Sequence, residues 1–132
     1  MSSAAARQTD STVRLATLLS NLPGAAYRCR NDPEWTMEFL SEGCQQLTGY
    51  PASAFLGPNG RSFNSVIHPD DREPIWAGVQ AALKNHSHFH LEYRIRTASG
   101  EEKRVSERGC GVYSEDGQLE ALEGFIEDVT DR

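Results

Sequence analysis

The sequence predicts an α+β domain: an antiparallel sheet whose helices are gathered in one insertion between its second and third strands. Three observations predict it. Two segments near the start alternate apolar and polar residues across a tight turn, three longer segments at the end do the same, and the helical signals between them form one block. Strands and helices that alternated one by one would instead point to a parallel sheet. At 132 residues the chain holds one domain, large enough for a core without disulfide or metal staples.

Residues 1–11 are small and polar and are expected to be flexible. From Thr12, Leu15, Leu18, Leu19 and Leu22 recur at i, i+3, i+4 and i+7, which predicts an amphipathic helix over 12–22, capped by Asp10, Ser11 or Thr12 and ended by Pro23 and Gly24. Ala25, Tyr27 and Cys29 alternate with Ala26, Arg28 and Arg30. After Asn31, Asp32 and Pro33 the run 36–40 alternates again, giving a hairpin. Ser41 is a candidate cap for a short helix through Cys44 and Leu47, and Gly49 can close it in the left-handed conformation. Pro51 suits the first position of a second short helical piece ending at Phe55, and a weaker one is expected near 62–67. His68, Pro69, Asp70 and Asp71 lead into a longer helix, roughly 74–84, with Ile75, Trp76, Val79, Ala82 and Leu83 on one stripe. Strands are predicted over 89–97, 103–113 and 119–129, separated by Ala98-Ser99-Gly100 and Glu115-Asp116-Gly117.

Composition removes several function classes. Thirteen Lys+Arg against nineteen Asp+Glu give a net charge of −6, the wrong sign for a duplex nucleic-acid binder. No apolar run exceeds three residues, so no membrane span is expected. The first residues lack the apolar stretch of a signal peptide, which leads to the expectation of a cytoplasmic protein. Cys29, Cys44 and Cys110 are odd in number and contain no CxxC, so each is read as a packed thiol.

The order of elements and five local stretches resemble a PAS domain of the type found in bacterial sensor proteins. They are NLPGAAYRCRND at 21–32, FLSEGCQQLTGYP at 39–51, IHPDDRE at 67–73, FHLEYRIRTASGEEKRVSERGCGV at 89–112 and LEGFIEDVTDR at 122–132. The resemblance implies a five-stranded antiparallel sheet in the order 2-1-5-4-3, with the central helices on one face around a small cavity. It implies a non-catalytic sensing and dimerising module over 23–132, joined C-terminally to an output domain such as a histidine kinase, a diguanylate cyclase or a phosphodiesterase. Asp128 and Thr130 match the family's DxT motif and are the expected signal relay. Leu15, Leu18, Leu19 and Leu22 are the expected homodimer surface; covering only the chain's own sheet is the alternative.

Cofactors are not expected. Flavin-binding relatives carry a reactive Cys in an NCRFLQ-type motif, whereas Cys44 lies in SEGCQQL; haem-binding relatives carry a His on the long helix, which here has none. His86, His88 and His90 would share a strand face, yet Asn85 and Ser87 favour a turn there, so an exposed cluster is expected rather than a metal site. An unknown small molecule would sit among Tyr27, Phe39, Phe55, Phe63, Trp76 and Tyr93, with the two tyrosines favoured because a buried hydroxyl needs a partner. Arg94 and Arg108 could add a fork for a carboxylate; otherwise they, with Arg104, Glu107 and Glu123, form a solvated sheet face. Gly109 and Gly111 can let another element approach the sheet. A filled core would instead mark a protein-interaction domain, and a small enzyme would need Glu107 or His90 as its base.

Overall fold

The computed structural model of the chain describes residues 23–131. The predicted 12–22 helix with its leucines, the 1–11 segment and the final residue lie outside them. Five strands, β1 (Gly24–Cys29), β2 (Met37–Leu40), β3 (Phe89–Arg96), β4 (Glu102–Tyr113) and β5 (Leu119–Asp128), form one antiparallel sheet in the order β2-β1-β5-β4-β3. Between β2 and β3 run α1 (Gly43–Thr48), two 3-10 turns (Ala52–Phe55 and Phe63–Val66) and α2 (Pro69–Lys84). The α+β class and the strand order are those expected.

Local signals explain most boundaries. Gly49 ends α1 at φ 81°, and Gly100 and Gly117 take φ 88° and 86° in the two hairpin loops, conformations that cost other residues a Cβ clash. Ser41 does not cap α1: its Oγ accepts the Ala26 N–H at 2.9 Å, tying the chain leaving β2 back to β1. Helix α2 begins five residues before the expected Pro74, because Pro69 fills its first position and His68 caps it, Nδ1 accepting the Asp70 N–H at 3.1 Å. Burial of Ile75, Val79 and Ala82 turns one stripe of α2 onto the sheet.

The start of α2 is fastened to the outer edge of β3. The His68 N–H donates to the Arg94 carbonyl (2.9 Å), Asp71 accepts the Arg94 N–H (2.9 Å), and its carboxylate takes the Arg94 guanidinium in a fork at 2.7 and 3.1 Å. An isolated bridge pairs Ile67 with Ile95. On the inner sheet face Ala25, Tyr27, Cys29, Phe89, Tyr93, Ile95, Val105, Leu122 and Ile126 are buried and form the core with Leu47, Phe55, Phe63 and Val79.

Candidate functional site

Tyr27 points inward from the middle of β1. Its neighbour across the ladder on β5 is Gly124, whose own neighbour on β4 is Gly109. A Cβ on either glycine would fall 2.7 Å from the Tyr27 hydroxyl, so the two bare positions leave a trough along which the phenol lies across the sheet. At its end stands Glu107 on β4. Tyr27 donates to one carboxyl oxygen of Glu107, and Tyr93, from β3, donates to the other at 2.6 Å.

This triad looks onto a small, partly open cavity of about 20 Å³ between the sheet and α2, completed by Cys29, Trp35, Met37, Phe63, Ile67, Ile75, Val79, Leu122 and Ile126. Since a water needs about 10–15 Å³ by this measure, the space holds roughly one. Burial pushes the Glu107 carboxyl above its ordinary pKa, and the two phenols, which favour its ionised form, oppose that rise. Burial, reinforced by the Glu107 charge, pushes both tyrosines well up, and does the same to the Cys29 thiol. At neutral pH the phenols and the thiol are therefore uncharged.

Three of the residues expected around a ligand, Tyr27, Phe63 and Tyr93, line the cavity. Phe39 does not. The register slips between Arg28 and Cys29 so that Glu38 is an extra residue in β2; this bulge puts Met37 and Leu40 on the inner face and leaves Phe39 beside Arg28, 41% exposed. Trp76 is 36% exposed, one position round the helix from buried Ile75, and packs on Trp35 with ring centroids 5.4 Å apart. Phe55 is buried one layer away, against Phe63 and Tyr50. Arg94 is engaged by Asp71 at the sheet edge, and Arg108 points from the opposite face of β4.

Two of the lining residues that were not expected there bear directly on the site. Glu107, assigned to a solvated face, shares the inner face with Gly109, and that glycine was the signal for space beside it. Trp35 reaches the wall from the β1–β2 turn, held at φ 50°; a turn has no periodicity from which to read its direction. The histidines are dispersed in their contacts: His86 stacks on Tyr113 at 4.3 Å and His90 bonds Ser106 at 2.9 Å. Among the described residues no three His, Cys, Asp or Glu side chains are grouped to hold a metal ion.

At the exit of the sheet, Asp128 accepts both the N–H of Thr130, at 2.9 Å, and its hydroxyl. The Thr130 Oγ1 in turn accepts the Arg104 N–H at 3.0 Å, and the Val129 N–H donates to the Arg104 carbonyl. Lys103 lies 3.9 Å from Asp128. These bonds fold the chain leaving β5 against the start of β4.

A five-stranded sheet in this order, cupped with its helices around a small cavity, is the architecture of a class of small α+β sensor domains. The chain belongs to the PAS domain family: a family model described as the PAS fold matches residues 37–126. It is 33% identical over 105 residues to the methyl sulfide methyltransferase-associated sensor of Methanosarcina acetivorans, an alignment covering 78% of this chain and 10% of that protein. The chain thus spans about a tenth of that relative's length. The PAS domain of a protein from Colwellia psychrerythraea superposes with a TM-score of 0.77 at 21% identity, covering 92% of this chain and 98% of the other. A sensory box histidine kinase/response regulator from Burkholderia thailandensis gives 0.68 at 30% identity, covering 90% and 86%. Among the described residues no helix is long and apolar enough to cross a membrane.

Proposed function

We propose that this PAS domain is the input module of a longer signalling polypeptide, that its input is taken at the cavity beneath Tyr27, Tyr93 and Glu107, and that its output leaves through Asp128 and Thr130. The observation that carries this reading is the half-buried Glu107 carboxyl, held by two phenols in a wall that is otherwise almost wholly apolar. A carboxylate inside an apolar core costs stability even when hydrogen-bonded, and a filled core would be served better by an apolar side chain. The route out is short: Glu107 lies opposite Ile126 on β5, two residues before Asp128.

The similarity to a sensory box histidine kinase/response regulator supports a kinase as the C-terminal output in the same chain, and a diguanylate cyclase or a phosphodiesterase would serve equally. A homodimer through Leu15, Leu18, Leu19 and Leu22, and a cytoplasmic setting, complete the reading; the domain itself carries no catalysis. The size of the cavity favours a second reading, an interaction domain with a filled interior. Native mass spectrometry of the purified chain, with thermal melting against a panel of small molecules, separates the two. A ligand whose binding is lost on Glu107→Gln supports sensing; a chain that copurifies with nothing and responds to nothing supports the filled core. In the full-length protein Asp128→Ala should uncouple output from ligand, and unaltered ligand-dependent output would remove the relay role.

A further inference from the structure

We propose that the cavity is a site for the smallest ammonium ions, ammonium itself and methylammonium, held at the Glu107 carboxylate. This rests on the reading of the cavity as the input site and names the class of ligand.

The first argument is unspent acceptor capacity. Each Glu107 oxygen takes one phenol, an arrangement that suits the ionised group because both tyrosines can donate at once. A carboxylate has about four lone-pair sites, which leaves about two free. The second is charge. The cavity wall contains Glu107 and no Lys, Arg or His, so a charge on its carboxyl is balanced by dipoles until a cation enters, and an anionic ligand would meet repulsion. The third is the wall: Tyr27, Trp35, Phe63 and Tyr93 surround the space, and aromatic rings attract cations. The fourth is size. About 20 Å³ admits one water-sized group; ammonium is of that size, and methylammonium adds one methyl to meet Ile75 and Val79. Larger amines do not fit. Hard metal ions seek six or more oxygens, whereas the wall offers one carboxylate and two phenols.

At a ceiling of about −1.5 kcal/mol per heavy atom, methylammonium binds no more tightly than about 6 mM and ammonium no more tightly than about 80 mM. The experiment therefore titrates the 132-residue chain with ammonium or methylammonium chloride to about 0.5 M, with sodium chloride holding ionic strength constant. Tetramethylammonium is the size control. The chain has two tryptophans; Trp35 is in the wall and Trp76 packs against it with its ring tilted by 45°, so intrinsic fluorescence reports occupancy. The expected result is a saturable fluorescence change with a melting temperature rise of several degrees, absent with sodium and tetramethylammonium and lost in Glu107→Gln. Val79→Leu, which keeps the charge and adds a methylene to the wall, should weaken methylammonium about tenfold or more and ammonium less; this holds the test open should Glu107→Gln fold poorly. Equal responses to methylammonium and sodium, or a response unchanged by both variants, overturn the proposal. If native mass spectrometry then finds a different ligand that depends on Glu107, the input reading stands and the ammonium class falls; if it finds none, both fall.

Discussion

Gly124→Ala is the most informative single change in the fold. Its new methyl would overlap the Arg108 carbonyl oxygen, lie 2.7 Å from the Tyr27 hydroxyl and 2.9 Å from the Gly109 Cα. Two of these obstacles are backbone held in the β4–β5 ladder, so the strands must part or Tyr27 must leave its trough. Overpacking of this kind costs about 1–3 kcal/mol. Losing the Tyr27 hydrogen bond to a charged partner adds about 1.5–3 kcal/mol. The sum, about 2.5–6 kcal/mol, is a large part of the stability of a domain this size. Urea unfolding of wild type, Gly124→Ala, Tyr27→Phe and the double variant measures it. Because Tyr27→Phe removes the obstructing hydroxyl and the bond together, the double variant should fall short of additivity by about 1–3 kcal/mol. A loss below about 1 kcal/mol for Gly124→Ala, or strict additivity, would refute the trough.

The raised pKa of Glu107 means that the folded state holds this proton to higher pH than the unfolded chain does, so the group's contribution to stability is greatest below the ordinary carboxylate pKa and is lost as pH rises through its native value. Urea midpoints between about pH 4 and 8 should show wild type losing ground to Glu107→Gln as pH rises, and parallel profiles would contradict this. Asp71 has the opposite sign: hydrogen bonding to Arg94 lowers its pKa, so its contribution is present above the ordinary carboxylate pKa and lost as pH falls through the lowered one. Asp71→Asn should lower the melting temperature at neutral pH and lose its effect in acid; an equal loss at both would place the cost elsewhere. Phe39→Ala should cost no more than about 0.5 kcal/mol and Leu40→Ala about 2–5 kcal/mol, an order that reverses if β2 has no bulge.

Most of the fold was legible because strands and turns write themselves locally. Alternation marked all five strands, and Gly49, Gly100 and Gly117 sit where a positive φ was needed. What failed was direction. One inserted residue, Glu38, turned Phe39 outward, and nothing in the run 36–40 signals an insertion. On α2 the stripe was read one residue too wide, taking in Trp76, because Trp is apolar whichever way it faces. Glu107 was misplaced because charge is normally a surface signal; its partners, Tyr27 and Tyr93, are 80 and 14 residues away, a convergence only the sheet order reveals. The DxT pair was singled out by the resemblance alone; its hydrogen bonds, which span two residues, came with the structure.

The fastening of α2 to β3 has a consequence for assembly. A sheet has two borders, and an unprotected border is a template on which another chain can add a strand. Here Arg94, on one border strand, has its N–H and its carbonyl already taken by Asp71 and His68, while the other, β2, is four residues long and bulged. Strand addition is thus obstructed at Arg94 on one border and meets only a short, irregular strand on the other, which leaves the side chains of the two broad faces as the surfaces through which this domain can meet another chain reversibly.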